Sequence, residues 1–167
     1  MIVREMSGAE CWDLLASVDY GRLATVHQGQ PYIVPIYFAF EGEYLYGFTT
    51  PGRKVEWMRA NPLVCVEVDD VMSHFHWSSV VVLGHYEELP DTPTYRGVRL
   101  EAQVRLEKRV LWWQTAYAAG QVRGEFHPAD ALFYRIRIDE ITGRRATPDP
   151  VESAVGLSSA AQPAREK

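Results

Sequence analysis

The sequence has few cysteines and no long apolar run, the features that identify disulfide-rich, zinc-binding and membrane-spanning proteins. It contains two cysteines, Cys11 and Cys65, with no C-x-x-C spacing, which argues against a disulfide scaffold and against a cysteine-based zinc site. Its longest strongly apolar stretch, residues 32–40, contains Pro35 and falls far short of the ~20 residues that span a bilayer. The N-terminus shows no apolar run typical of a signal peptide. We therefore expect a soluble cytoplasmic protein with no membrane partner.

Positive charge is also scarce. The 17 Lys and Arg residues against 22 Asp and Glu residues give a formal net charge of −5, whereas nucleic-acid binders usually show a basic excess. Nucleic acid is therefore not an expected partner. Aromatic residues are absent after Tyr134, and residues 147–167 are rich in Ala, Ser and Pro. This composition predicts one folded domain over residues 1–146 and a disordered tail over residues 147–167.

The folded part consists mainly of short segments with strand-like composition. Ser7 and Glu10 match a capping box, and apolar residues follow them at helical spacing. Alternation and turn residues predict strands at residues 22–27, 32–40, 44–49, 63–68, 79–87 and 133–139. The apolar run at residues 80–83 predicts a strand that is covered on both faces. Helices are predicted at residues 55–60 and from Thr92-Pro93 onward. These elements indicate a small α+β barrel, and no G-x-G-x-x-G motif of a doubly wound nucleotide fold is present.

The turn between the third strand and the second helix is the strongest candidate for a binding site. Thr49 and Thr50 end the strand, a Pro-Gly turn follows, and Arg53 and Lys54 open the helix. Cations there oppose the helix dipole, but free amides, hydroxyls and cations together suit phosphate oxygens. The alternative is an ordinary solvated basic turn. Arg22 is a further cation that either completes a phosphate cradle or lies on the strand surface.

A second group of residues admits several interpretations. His74 and His76 share one face if their segment is extended, which is compatible with a metal site. No third ligand is evident, so no metal is expected. Trp77, Ser78 and Ser79 follow directly. They either meet a flat heterocycle or serve as ordinary core and loop residues.

The order of these segments is more informative than any one of them. In chain order they are Gly21-Arg22-Leu23-Ala24-Thr25, Pro31-Tyr32-Ile33-Val34-Pro35, residues 45–54, Met58-Arg59-Ala60-Asn61-Pro62, Trp77-Ser78-Ser79-Val80-Val81-Val82-Leu83-Gly84 and residues 134–144. With this order and spacing, residues 7–144 resemble the pyridoxamine 5′-phosphate oxidase-like family of FMN-binding split barrels. Within that family, the chain is most similar to the branch of nitroimidazole-resistance and flavin-nucleotide-binding proteins.

The resemblance implies a fold, a cofactor and a partner. The fold is a six-stranded antiparallel split β-barrel with flanking helices, assembled as a homodimer with FMN at the subunit interface. The implied cofactor-binding residues are Arg22, Thr49 or Thr50, Arg53 and Lys54 at the phosphate, Leu23, Ala24 and Thr25 along the flavin, and Ser78 or Ser79 near the ribityl chain. We add the hypothesis that Trp113 or its neighbour Trp112 reaches the partner's flavin, because two large rings follow a charged helix.

Two departures from the family bear on the substrate. The chain lacks the C-terminal block with Arg and His that grips the substrate in true pyridoxamine phosphate oxidases. It also reads Tyr46-Gly47-Phe48 where some nitroimidazole-resistance relatives place a histidine in the third strand. We expect an FMN-dependent oxidoreductase that acts on a small, flat, electron-poor substrate, with no catalytic acid or base assigned. The alternatives are a non-catalytic flavin sensor or carrier, and a barrel that uses haem or a deazaflavin, since His27, His74, His76, His85 and His127 leave haem ligation open.

Overall fold

The computed structural model describes residues 1–109 and 132–149, which form seven strands and three helices. In chain order these are β1 (Ile2–Glu5), α1 (Gly8–Ser17), β2 (Tyr20–His27), β3 (Gln30–Glu41), β4 (Tyr44–Thr49), α2 (Arg53–Ala60), β5 (Leu63–Ser73), β6 (His76–Leu89), α3 (Arg96–Glu107) and β7 (Leu132–Thr147). None of the helices in these residues is long and apolar enough to cross a membrane.

Six of the strands form a closed antiparallel barrel. The hydrogen-bonded order is β1-β7-β4-β3-β2-β5-β6, and a further pairing of β6 with β7 closes the sheet. The long β7 pairs with β4 through its first residues, with β6 along most of its length, and with β1 through its end. The predicted α+β split barrel is therefore confirmed. The short β1 is a seventh strand that the sequence pattern did not indicate.

The β5–β6 hairpin is longer than predicted, and it corrects two expectations. His74 lies in the turn of the hairpin while His76 begins β6, so the two histidines do not share one extended segment. Val80 and Val82 are fully buried, but Leu83 keeps 44% of its surface exposed. The expectation that this run is covered on both faces is wrong for the single chain, because only the interior face of the barrel is covered.

The main core fixes the position of α2 against the barrel. Leu23, Val66 and Tyr134 fill the barrel interior, and Leu15 of α1 and Met58 of α2 pack into the same cluster. Each of these side chains is at most 1% exposed. A second apolar cluster holds α3 against β3, β4 and β7 on the outside of the barrel. Because α2 is anchored through its buried face, its first turn is held at a defined place next to the end of β4.

The predicted capping box at the start of α1 is present. The Ser7 hydroxyl accepts a hydrogen bond from the Glu10 N–H at 3.3 Å, and the Glu10 carboxylate accepts one from the Ser7 N–H at 2.9 Å. Glu10 also accepts hydrogen bonds from Arg4 and from Arg145. The Arg4 guanidinium, followed by the Ser7 N–H, holds the pKa of Glu10 well below its usual range. One carboxylate thus links β1, α1 and β7.

Substitution of this carboxylate is expected to make stability depend less on pH. A carboxylate with a depressed folded-state pKa stabilises the fold above its unfolded-state pKa, and that contribution is lost as pH falls. Glu10→Gln should therefore lower Tm at pH 7, and the gap to the unmodified protein should narrow as pH is lowered from 5 towards 2. Thermal unfolding across this range checks the prediction. A gap that is the same at every pH would show that the charge of Glu10 contributes nothing.

Candidate functional site

The start of α2 presents backbone donors that the helix itself does not use. β4 ends at Thr49, and Gly52 is the N-cap residue of α2 with no side-chain cap hydrogen bond. The N–H of Glu56 donates to the Gly52 carbonyl at 3.1 Å, whereas the N–H groups that precede Glu56 in the first turn have no acceptor within the helix. These donors and the positive end of the helix dipole favour an anion at this place.

Lys54 adds an uncompensated cation to the same helix start. Its side chain is half-buried, and within the described residues it makes no hydrogen bond or ion pair. Loss of hydration lowers the pKa of Lys54 from 10.5 to about 8. Burial of an ammonium group without a counter-ion is unfavourable, and an anion held beside it would offset that cost. The structure therefore favours the anion-binding interpretation of this turn over a solvated basic turn.

The other residues of the predicted turn precede Lys54 in the chain. Thr49 is buried, and its hydroxyl donates a long hydrogen bond of 3.4 Å to the Thr50 carbonyl, which leaves its acceptor lone pairs and much of its donor capacity unused. Thr50 is half-buried and Arg53 is exposed. The Arg53 guanidinium lies 5.6 Å from the centre of the Tyr32 ring, and it has no carboxylate partner among the residues that the structure describes. Two unpaired cations thus stand at adjacent positions.

β2 offers a ligand one small side chain on the outside of the barrel. Leu23 is fully buried, and Thr25 is buried with a hydroxyl that has no hydrogen-bond partner in the described residues. By the alternation of a strand, both side chains face the barrel interior. Ala24 is half-buried and faces outward between Ile33 of β3 and Cys65 of β5. A flat ring can approach the strand closely only where the outward side chain is this small.

The predicted residues on the β2–β5–β6 side are already engaged by other side chains. The Arg22 guanidinium donates to Glu67 at 3.0 Å and to Asp69 at 3.1 Å. Ser79 donates to the other oxygen of Glu67 at 3.0 Å, and the buried Ser78 accepts from Arg145 at 2.9 Å. The positive charge of Arg22 is thus balanced by two carboxylates, unlike that of Arg53 and Lys54.

Comparison with known proteins identifies the family of this chain. The model of a family described as pyridoxamine 5′-phosphate oxidase matches residues 7–145, which include every strand of the closed barrel except the end of β7. The chain belongs to this family. A protein of Rhizobium meliloti described as uncharacterized is 43% identical over 147 residues, which are 87% of this chain and 97% of that protein.

Several solved structures are similar to this chain over most of its length. A FAD-binding protein from Mesorhizobium loti has a TM-score of 0.71 at 40% identity, covering 88% of this chain and 100% of that one. The FAD-binding protein from Mycobacterium smegmatis has a TM-score of 0.65 at 27% identity, covering 87% of this chain and 100% of that one. A candidate 5-nitroimidazole antibiotic resistance protein from Bacteroides thetaiotaomicron, at 19% identity and a TM-score of 0.61 over 87% of this chain and 89% of that one, shares the fold.

Some expectations for this family member lie outside the described residues. Trp112 and Trp113 do so, and their role at the partner's flavin stays a prediction, as does the ligand role of His127. Within the described residues, no group of three or more His, Cys, Asp or Glu side chains is placed to hold a metal ion. A cavity of about 310 Å³ touches Ser79, and another of about 300 Å³ lies beside Arg105.

Three aromatic residues, His27, Tyr32 and Trp57, lie together beside the basic turn, and the sequence does not indicate this grouping. Trp57 lies one helical turn after Arg53, and its ring centre is 5.4 Å from that of Tyr32 and 5.6 Å from that of His27. The Asn61 side chain, at the end of α2, donates to the Val26 carbonyl at 3.1 Å. The spacing of Arg53 and Trp57 in a predicted helix signals a shared face. Nothing local indicates that residues from β2 and β3 meet that face.

Proposed function

We propose that this protein binds a flavin nucleotide through its FMN moiety, with the 5′-phosphate at the start of α2. The observation that carries the proposal is Lys54, a half-buried ammonium with no partner in the described residues, next to unused backbone donors. Arg53 and the hydroxyls of Thr49 and Thr50 complete a donor set suited to phosphate oxygens. The FAD-binding relative from Mesorhizobium loti, at 40% identity, supports a flavin as the ligand.

The flavin ring is proposed to lie along the outer side of β2. The small outward side chain of Ala24 leaves room for a flat ring, while Leu23 and Thr25 contribute the adjoining main chain. A bound flavin supplies one- and two-electron transfer, and the protein supplies binding, orientation and electrostatics. The cations at the start of α2 orient the cofactor through its phosphate. The function proposed on this basis is an oxidoreductase for a small, flat, electron-poor substrate.

A homodimer is proposed because the outer face beside Ala24 is apolar. Ile33, Leu63 and Leu83 are 64%, 57% and 44% exposed. The strand register places Ile33, Ala24, Cys65 and Leu83 in one row across β3, β2, β5 and β6. Contiguous apolar surface of this kind is typical of subunit interfaces. Mass measurement in solution is expected to give twice the chain mass, and a flavin-binding monomer would contradict the dimer.

The absorbance spectrum of the freshly purified protein tests the ligand directly. A flavin spectrum supports the proposal, whereas a Soret band or a deazaflavin spectrum would replace FMN by the corresponding ligand. Anaerobic bleaching of the flavin by NADH or NADPH, followed by reoxidation with quinone or nitroaromatic acceptors, supports an oxidoreductase. Stable flavin binding with no turnover across such a panel would instead favour the sensor or carrier. Failure to bind FMN, FAD or riboflavin would overturn the proposal.

Arg22 is expected to matter less for the phosphate than the cations of α2. Because Glu67 and Asp69 already balance its charge, Arg22→Gln should weaken FMN binding by less than about threefold, within the range of exposed ion pairs. Quenching of flavin fluorescence on binding gives the Kd. A loss of about tenfold or more would place Arg22 in the phosphate cradle, as the family resemblance implies.

A further inference from the structure

The three aromatic side chains beside α2 form a surface with no assigned role. His27, Tyr32 and Trp57, here called the aromatic platform, are all half-buried, and neighbouring ring centres lie 5.4–5.6 Å apart. None of the three belongs to either buried core cluster of the described residues. The side chain over the Tyr32 ring is the Arg53 guanidinium, at 5.6 Å from the ring centre. A planar cation therefore covers the platform where a core would place an apolar group.

The aromatic platform adjoins the proposed phosphate site through consecutive residues. Arg53 and Lys54 have Cα atoms about 3.8 Å apart, and Trp57 follows Arg53 by one turn of the same helix. A ligand phosphate at Lys54 thus has a second unpaired cation beside it and a group of rings immediately beyond. The site therefore presents two cations followed by an aromatic surface. A dinucleotide has the matching order, since its two phosphates are followed by a nucleoside. FMN has one phosphate and no second base, so it leaves the rings unused.

We propose that the aromatic platform and Arg53 bind the adenosine phosphate half of FAD, so that the chain selects the dinucleotide over FMN. The proposal rests on the proposed function, since it takes the FMN phosphate at Lys54 as its starting point. Arg53, beside the FMN phosphate, also binds the second phosphate, since its forked guanidinium has donors for both. The adenine ring stacks on the aromatic platform, and stacking of a base on aromatic side chains contributes substantially to nucleotide affinity. The names of two FAD-binding relatives are consistent with this selection.

The chain offers a matched control for the substitutions. Tyr44 also has an arginine over its ring, with the Arg135 guanidinium 4.4 Å from the ring centre. Arg135 is paired with Glu87 at 2.6 Å, and both lie away from α2. Tyr44→Leu therefore removes a tyrosine ring and its arginine contact without touching the aromatic platform. Tyr32→Phe is the conservative variant that keeps the ring in place.

The experiment compares the Kd values of FAD and FMN for each protein. The unmodified chain should bind FAD about 5- to 150-fold more tightly than FMN, the range expected for stacking of one base. Trp57→Leu and Tyr32→Leu should each lower FAD affinity towards that of FMN and leave FMN affinity unchanged, which also shows that the variants are folded. Tyr32→Phe and Tyr44→Leu should keep the preference for FAD.

Four outcomes would overturn the inference, and they separate it from the proposed function. Equal affinity of the unmodified chain for FAD and FMN removes the inference while leaving the flavin site in place. A preference for FAD that survives both Trp57→Leu and Tyr32→Leu places the adenine elsewhere. A chain that binds neither flavin overturns the proposed function and this inference with it. If both leucine variants lose FMN binding as well, His27→Leu at the other side of Trp57 decides: loss of FAD preference with FMN affinity kept supports the inference, and retained preference rejects it.

Discussion

Replacement of Lys54 by methionine is expected to weaken FMN binding about 10- to 100-fold and to leave riboflavin binding unchanged. Methionine keeps most of the length and apolar stem of lysine, so the packing of α2 is preserved. The loss corresponds to a hydrogen bond between charged groups, which contributes about 1.5–3 kcal/mol. Titration of each flavin against the protein, followed by flavin fluorescence, measures the difference.

The unusual titration of Lys54 gives the same site a pH dependence. In the folded protein without ligand the pKa of Lys54 is about 8. The side chain is therefore mostly charged at pH 7 and loses its proton as pH rises through 8. Phosphate binding favours the charged form, so FMN affinity should fall by up to about tenfold per pH unit above pH 8. The second ionisation of a phosphate monoester lies near pH 6, and therefore does not contribute to this slope. The Lys54→Met variant should show no such fall.

Two comparisons show whether the effect belongs to the phosphate. Riboflavin lacks the phosphate, so an equal loss of riboflavin affinity in Lys54→Met would assign Lys54 to the structure of the site and not to the anion. Lys108→Met removes a lysine at the end of α3, outside the proposed site, and should leave both affinities unchanged. FMN affinity that is constant from pH 7 to pH 10 in the unmodified chain would contradict the titration of Lys54 at the phosphate.

Gly47→Ala is expected to cost about 1–3 kcal/mol in the free energy of unfolding, the usual range for an overfilled core. A Cβ at position 47 would lie 2.2 Å from Cζ and 2.4 Å from the hydroxyl oxygen of Tyr134. Tyr134 is 1% exposed in the centre of the barrel, where its ring also packs against Tyr86. The ring cannot move aside without displacing other core residues. Denaturant unfolding at fixed pH measures the loss.

A control glycine and a double variant test the cause of this loss. Gly97 lies in α3, and a Cβ there would meet nothing within 4 Å, so Gly97→Ala should be neutral or stabilising by up to about 1 kcal/mol. Tyr134→Leu should lower stability by itself but reduce the further cost of Gly47→Ala. A Gly47→Ala variant as stable as the unmodified chain would show that Tyr134 can yield.

Local chemistry decided which elements the sequence could predict. The capping box at Ser7 and Glu10, the β4 boundaries and the basic turn at α2 each depend on neighbours a few residues away, and all are present. The strand β1 was missed because all four of its residues are exposed and carry no periodic pattern. It exists because its backbone pairs with β7, at the far end of the barrel sequence. The third helix begins at Arg96, after a turn, and not at Thr92-Pro93.

The site was predictable only where its residues are consecutive. The basic turn can be recognised in the sequence because two cations follow a Pro-Gly pair at a predicted helix start. Its residues are Thr49, Thr50, Arg53 and Lys54. The partners of Arg22 are 45 and 47 residues away, and no spacing rule anticipates that two carboxylates balance its charge. The aromatic platform likewise combines side chains from β2, β3 and α2. Such contacts are set by how the barrel closes, which the residue pattern of a single strand does not contain.

The pairing of β7 has a consequence for how the chain reaches its native state during synthesis. Until residues 132–147 have left the ribosome, β4 and β6 both keep an open edge, because β7 is the strand that joins them. Contacts between elements so far apart in sequence form slowly. Unpaired strand edges can recruit other chains during that interval. A chain truncated before β7 therefore cannot close the barrel. It leaves one edge of β4 and one edge of β6 unpaired, whereas both edges are paired with β7 in the complete protein.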